Sequence, residues 1–158
     1  MFTVPVGNFK RVATGYRPSA NAVTVAGSGS VTDPEKAYDS DPSTYAYVNS
    51  YTTQIIYSGF GSAVASGAVL NINIGAALSG DPNSATLDIS FNGGSSYDFS
   101  IPMGWVEYSV GSGIYTIPTN VIQYQIPNSL VLSGIKLRFK TDTTTAVSLL
   151  IYDIVINQ

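Results

Sequence analysis

Cysteine and histidine are both absent from the 158 residues. Without thiols the fold uses no disulfide and no thiolate metal ligand, and redox chemistry says nothing of its compartment. Without imidazole, zinc sites of the usual kind, Cys/His and Ser/His/Asp nucleophilic machinery and the commonest general base at neutral pH all drop out. The expectation is a protein that is not an enzyme. Charge is scarce as well: 7 Lys and Arg stand against 10 Asp and Glu, and the 11% charged residues are less than half the usual share. No basic stripe of the kind phosphate backbones require is present, so no nucleic-acid partner is expected. No run approaches the ~18 apolar residues that cross a bilayer, so no membrane partner is expected either. The start, "MFTVPVGNFKRVATGYRP", lacks a basic region followed by a long apolar run, which reads as a chain made in the cytoplasm without a signal peptide.

What is present is a strand rhythm. Hydrophobic residues make up 44% of the chain and aromatics 11%, enough for one ordinary core. "LNINI" (Leu70 to Ile74), "TLDISF" (Thr86 to Phe91), "YDFSI" (Tyr97 to Ile101) and "IKLRFK" (Ile135 to Lys140) alternate apolar with polar residues, as strands with one buried face do. Between them fall "GSGS", "SGFGS", "SGDPNS", "NGGSS", "GSG" and "TDTTT", turn punctuation at the spacing of an antiparallel sandwich. The fold class is therefore all-β: a single antiparallel β-sandwich of jelly-roll type with very little helix. "FNGGSSYDF" predicts a hairpin, since Asn92-Gly93 tolerates the positive φ angles of tight primed turns. In "AVSLLIYDIVINQ" both alternating sets are mainly apolar, which predicts a central strand covered on both faces. Simple alternation puts Asp153 with Val147, Leu149, Ile151 and Val155. A carboxylate in so apolar a strand needs a hydrogen-bonding or cationic partner.

One polar stretch, "KAYDSDPSTYAYV" (Lys36 to Val48), gathers two carboxylates with a proline, a serine and a threonine. It reads as a cation site, a catalytic pair or a well-made turn. Asp and Ser favour turns by bonding nearby backbone N–H groups, and Asp41-Pro42 is itself a turn starter. A glycosidase pair must flank a cleft, and two carboxylates on one tight loop are poorly placed for that.

The order "KAYDSDPSTYA", "TQIIYSGFG", "LDISFNGGSSYDF" and "LLIYDIVI" resembles the galactose-binding-like jelly rolls, the discoidin-type and related carbohydrate-binding modules, over roughly residues 20 to 156. The resemblance implies a structural calcium site built from the Lys36 carbonyl, Asp39, Asp41, Thr44, and Asp153 with the Tyr152 carbonyl. Calcium takes six to eight hard oxygens, and an ion there would neutralise Asp153. Two positions depart from the family pattern: Ser40 replaces the usual glycine and Ala46 stands where tryptophan is common.

The first 18 residues hold Lys10, Arg11 and Arg17 among Phe2, Val4, Val6, Phe9 and Tyr16. This arm (residues 1–18) reads as a docking segment or a first strand ahead of the sandwich domain (19–158), and Phe9, Lys10, Arg11 and Arg17 are its candidate partner-binding residues. Trp105 and Tyr108, in "MGWVEYSV", are further candidates, with Trp105 serving as core, subunit interface or sugar-stacking platform. The row Lys136, Arg138, Lys140 reads as a solvated strand face. Two function classes follow. The first is a virion component, such as a phage capsid decoration (cement) or tail accessory protein, acting through contacts with other virion proteins in a homo-oligomer. The alternative is a carbohydrate-binding module recognising a glycan.

Overall fold

The structure is a computed structural model that describes residues 15–26, 29–50, 53–65, 67–127, 130–142 and 146–158. Phe9, Lys10 and Arg11, expected to dock a partner, lie outside the described residues. The alternating segments form strands because their apolar set has a sheet to face. In chain order they are β1 (Ala20–Val25), β2 (Ser30–Thr32), β3 (Ala46–Ser50), β4 (Thr53–Ser58), β5 (Val64–Ala65), β6 (Val69–Ser79) and β7 (Ala85–Ser90). There follow β8 (Phe99–Ile101), β9 (Val106–Glu107), β10 (Ile114–Thr116), β11 (Val121–Gln125), β12 (Leu130–Val131), β13 (Lys136–Thr141) and β14 (Ala146–Asn157). Helix is confined to three short 3-10 turns among the described residues.

Two antiparallel sheets face each other as a β-sandwich of jelly-roll type. One runs β1-β4-β13-β7-β8; the other runs β2-β3-β14-β6-β10-β9, with β11 also paired to β6. Ile55, Tyr57, Leu137, Phe139, Leu87 and Ile89 of the first sheet meet Leu70, Ile72, Ile74, Leu149 and Ile151 of the second, all buried in one core. At roughly 25 cal/mol per Å² of apolar area removed from water, this shared face is the main stabilising term. Ala46, which stands where tryptophan is common in the galactose-binding-like pattern, is fully buried in it.

The outer face of the first sheet shows how its charges are handled. Arg138 reaches the buried Asp88 on the paired strand (Nε 3.2 Å and Nη2 2.8 Å from Oδ2), and Ser100 donates to the other carboxylate oxygen at 2.7 Å. The Arg138 guanidinium lies 4.1 Å from the Tyr97 ring centroid. The middle cation of the Lys136, Arg138, Lys140 row is thus neutralised within the chain rather than offered to solvent.

Two expectations need correction here. β7 and β8 do pair, with Ile89 opposite Phe99, but a long loop joins them in place of a two-residue Asn-Gly turn. Ser90 and Asn92 hold that loop by side-chain bonds: Asn92 Oδ1 accepts from Ser90 Oγ and the Ser96 N–H, and Ser90 Oγ accepts from the Gly94 N–H. Side-chain bonding of this kind lets a loop outcompete the tight turn. Second, β14 is central, between β3 and β6, but its alternation is broken: Ile151 pairs with Ile74 and Asp153 with Asn73, leaving Tyr152 as the extra residue of a β-bulge. Val147, Leu149 and Ile151 point into the core before the bulge, Ile154 and Ile156 after it. Asp153 is therefore on the outer face, not in the inward set that simple alternation assigned to it.

Candidate functional site

The outward Asp153 finds its cation. Tyr16 continues the sheet beside the end of β14, its N–H and carbonyl each bonding Ile156 at 2.8 Å, and this sets Arg17 over the outer face. Arg17 then grips Asp153 with two parallel bonds, Nε to Oδ1 at 3.0 Å and Nη2 to Oδ2 at 3.1 Å. Such a fork fixes both side chains and is among the stronger charge-assisted arrangements. Gly15 belongs to the same device: a Cβ there would stand 2.5 Å from Val155 Cγ2, so only glycine lets this segment lie on the strand. The residue expected to dock a partner is instead the internal partner of Asp153.

Around this pair lies an open cleft of about 520 Å³, lined by Arg17, Asp153, Ser40, Asn71, Asn73 and Asn157 together with Gly15 and Val155. Its floor is rigid sheet. Asn71 and Asn73 come from β6, opposite Val155 and Asp153. Gln123 on β11 donates to Asn71 Oδ1 at 2.8 Å and so fixes that amide, while Asn73 is exposed and its amide has no partner among the described residues. A contiguous depression of about 300 Å³ adds Pro42 and Tyr152. The Tyr152 ring lies beside Gly75 and meets Tyr45 edge to face at 5.5 Å. The bulge thus delivers an aromatic ring and a carboxylate side by side to one surface. Planar amides, an ion pair and a ring edge can together bind a flat, hydroxyl-rich molecule.

The loop from Asp39 to Thr44 forms one wall. Asp39 Oδ1 accepts the Asp41 N–H at 2.9 Å, and Oδ2 lies 2.8 Å from the Thr44 hydroxyl and 3.3 Å from Lys36 Nζ. Asp41 Oδ1 takes the Ser43 N–H at 2.9 Å and its hydroxyl at 2.6 Å. The Asp41 N–H, then the Thr44 hydroxyl, hold the Asp39 carboxyl below its ordinary range; the Ser43 hydroxyl and N–H do the same for Asp41. Folding thus favours both ionised forms, and that contribution, complete above the ordinary carboxylate value, is lost as pH falls below it. Ser40 keeps the loop closed with a left-handed φ of 68°, at a cost of about 1 kcal/mol that glycine would not incur. The substitution that departs from the family pattern is therefore accommodated by backbone strain.

As folded, this donor set does not fit a calcium ion. Both Asp39 oxygens are occupied, the Lys36 ammonium stands where a divalent cation would be repelled, and Asp153 belongs to Arg17. Among the described residues no three His, Cys, Asp or Glu side chains come together. The turn chemistry accounts for the stretch on its own. Melting temperatures in calcium and in chelator are expected to coincide; a rise with calcium that Asp39→Ala abolishes would reinstate the ion.

The solved structures similar to the chain include two of AlyQ. One is a truncated AlyQ with CBM32 and alginate lyase domains, 16% identical, TM-score 0.45, covering 93% of this chain, which spans only 34% of that protein. The other is the CBM32 of AlyQ in complex with 4,5-unsaturated mannuronic acid, 16% identical, TM-score 0.42, covering 90% of this chain and 96% of that one. No protein-family profile matches the sequence, and no curated protein does.

The remaining candidates lie elsewhere. Trp105 packs half-buried against the core, its Nε1 3.4 Å from the Ala85 carbonyl. Tyr108 is 77% exposed beside the fully exposed Val110, in the turn between β9 and β10. Of the strongest lining residues, Asn71 and Asn73 were not singled out from the sequence, and Tyr152 was named there only for its carbonyl. A signal for the first two was visible: asparagine is disfavoured in strands, and "NIN" places two on one outward face.

Proposed function

We propose that the protein is a non-catalytic carbohydrate-binding module whose binding surface is the cleft over β6 and β14. The observation that carries this reading is the exposed Asn73 amide, without a partner among the described residues, in one depression with the Arg17–Asp153 pair and Tyr152. Saccharides present an apolar ring face and a rim of hydroxyls that both donate and accept, and this cleft offers an aromatic edge beside donors and acceptors already in place. Rigid strands supply the positions, so little ordering is needed on binding. Asn73→Ala is expected to weaken retention on glycan-containing gels by about tenfold, the worth of one good polar contact, while leaving the melting temperature unchanged. Unaltered retention would move the site off this cleft.

A second reading is subunit contact in a virus particle, as a capsid decoration or tail accessory protein made in the host cytoplasm. One observation favours it: Val106, Tyr108, Val110 and Ile114 expose apolar side chains together around the β9–β10 hairpin. Exposed apolar clusters mark interaction surfaces. If the hairpin joins copies, light scattering should find an oligomer that Tyr108→Ser with Val110→Ser dissociates; a monomeric parent chain would remove self-association through it.

A further inference from the structure

We propose that the cleft selects by charge, taking uncharged saccharides and rejecting uronates and sulfated sugars; this rests on the saccharide reading above. Among the described residues Arg17 is the single cation lining the cleft, and its charge is already balanced. Its Nε and Nη2 both donate to Asp153, in a fork that closes at 3.0 and 3.1 Å. A carboxylate arriving on the sugar would have to displace Asp153 or lie beside it, and like charges in contact are strongly unfavourable away from bulk water. The neighbouring cation is committed too, since Lys36 Nζ lies 3.3 Å from Asp39. The rest of the lining is neutral: amides at Asn71, Asn73 and Asn157 and the hydroxyl of Ser40. The net charge of −3 adds a repulsive field to any polyanion.

The same groups suit a diol. Amides donate and accept side by side, and the Arg17–Asp153 unit presents a guanidinium edge next to a carboxylate edge. Two adjacent sugar hydroxyls, one donating and one accepting, match that pattern without leaving a polar group unpaired. Specificity here comes from the repulsive element as much as from the attractive one. Opening the ion pair should convert the cleft into an anion receptor, because a freed guanidinium fork fits a carboxylate in two parallel bonds.

The test uses the full chain and matched polymers: galacturonan, glucuronan and mannuronan, each alongside its carboxyl-reduced form, which differs only in the charged group. Affinity electrophoresis is expected to show at least one reduced polymer bound about tenfold or more tightly than its parent. That binding should hold between about 0.02 and about 0.5 M salt, where contacts between exposed charges are screened. Asp153→Asn should shift the preference toward the parent uronate. If that variant fails to fold, the salt series on the unmodified chain still decides. Parent polymers bound as well as or better than their reduced forms would overturn the charge selection and leave the saccharide reading standing. Binding to no polymer of any pair, or binding that Asn73→Ala does not touch, would overturn that reading and this inference with it.

Discussion

Arg17→Ala is expected to destabilise the protein by about 2 kcal/mol, roughly 4–8 °C in melting temperature, and to cost more than Asp153→Ala. The asymmetry follows from where the two groups are anchored. Asp153 is fixed on a central strand with its side chain 18% exposed; once its partner is removed it stays partly desolvated with an uncompensated charge. Arg17, at 28% exposure and with a long stem, can swing its guanidinium into water when the carboxylate is removed. The pair is more sheltered than the surface bridges that contribute at most about 1 kcal/mol, yet short of full burial. In a double-mutant cycle the two losses should be less than additive, since the second substitution removes a partner already gone. Arg17→Lys should fall between parent and alanine variant, because an ammonium cannot make both bonds of the fork. A thermal scan of the five proteins checks this, and equal costs for the two alanine variants would contradict the account. The alanine variants should also lose the guanidinium and carboxylate edges of the cleft, while the Asn71 amide stays fixed by Gln123.

The fold was largely legible because its signal is local. Leu70 to Ile74 and Leu137 to Phe139 alternate as written, and alternation is all a half-buried strand requires. The need of Asp153 for a partner was legible too, but the partner was not. Arg17 is far away in the chain, and no periodicity points from one to the other. The face Asp153 occupies was misread for a separate reason: a single extra residue at Tyr152 inverts the parity of everything after it, and a bulge leaves no mark in a run where both faces are apolar. Val155 shows how the disguise works. It points outward, yet it is 8% exposed because the Gly15 segment lies on it, so outward positions read as core. Asn92-Gly93 misled in the opposite direction. A strong local turn signal was overridden by side-chain bonds from Ser90 and Asn92 that hold a longer loop. Trp105 drew attention as a lone aromatic, whereas the rings beside the cleft are Tyr45 and Tyr152, brought together only by the fold.

Deleting Tyr152 is expected to leave a folded sandwich that no longer binds, whereas deleting Leu150, two residues earlier, is expected to cost about 4 kcal/mol or more. The register decides both outcomes. Because Ile151 faces Ile74 and Asp153 faces Asn73, removing the extra residue between them joins two stretches whose parity already agrees. Ile154 and Ile156 stay inward, Asp153 stays outward beside Arg17, and the main loss is the ring contact with Tyr45, about 1 kcal/mol. Without Leu150 the bulge is absorbed in the other direction. Ile151 slides to the outward place opposite Gly75, and Tyr152 is driven into the core place opposite Ile74. An isoleucine then leaves the core while a phenol enters it with no partner for its hydroxyl, and each fault is destabilising by itself. Thermal denaturation and gel retention of the two single-residue deletions separate the cases. Should both collapse alike, Tyr152 is a structural residue of the strand, and the bulge is not what aims the cleft.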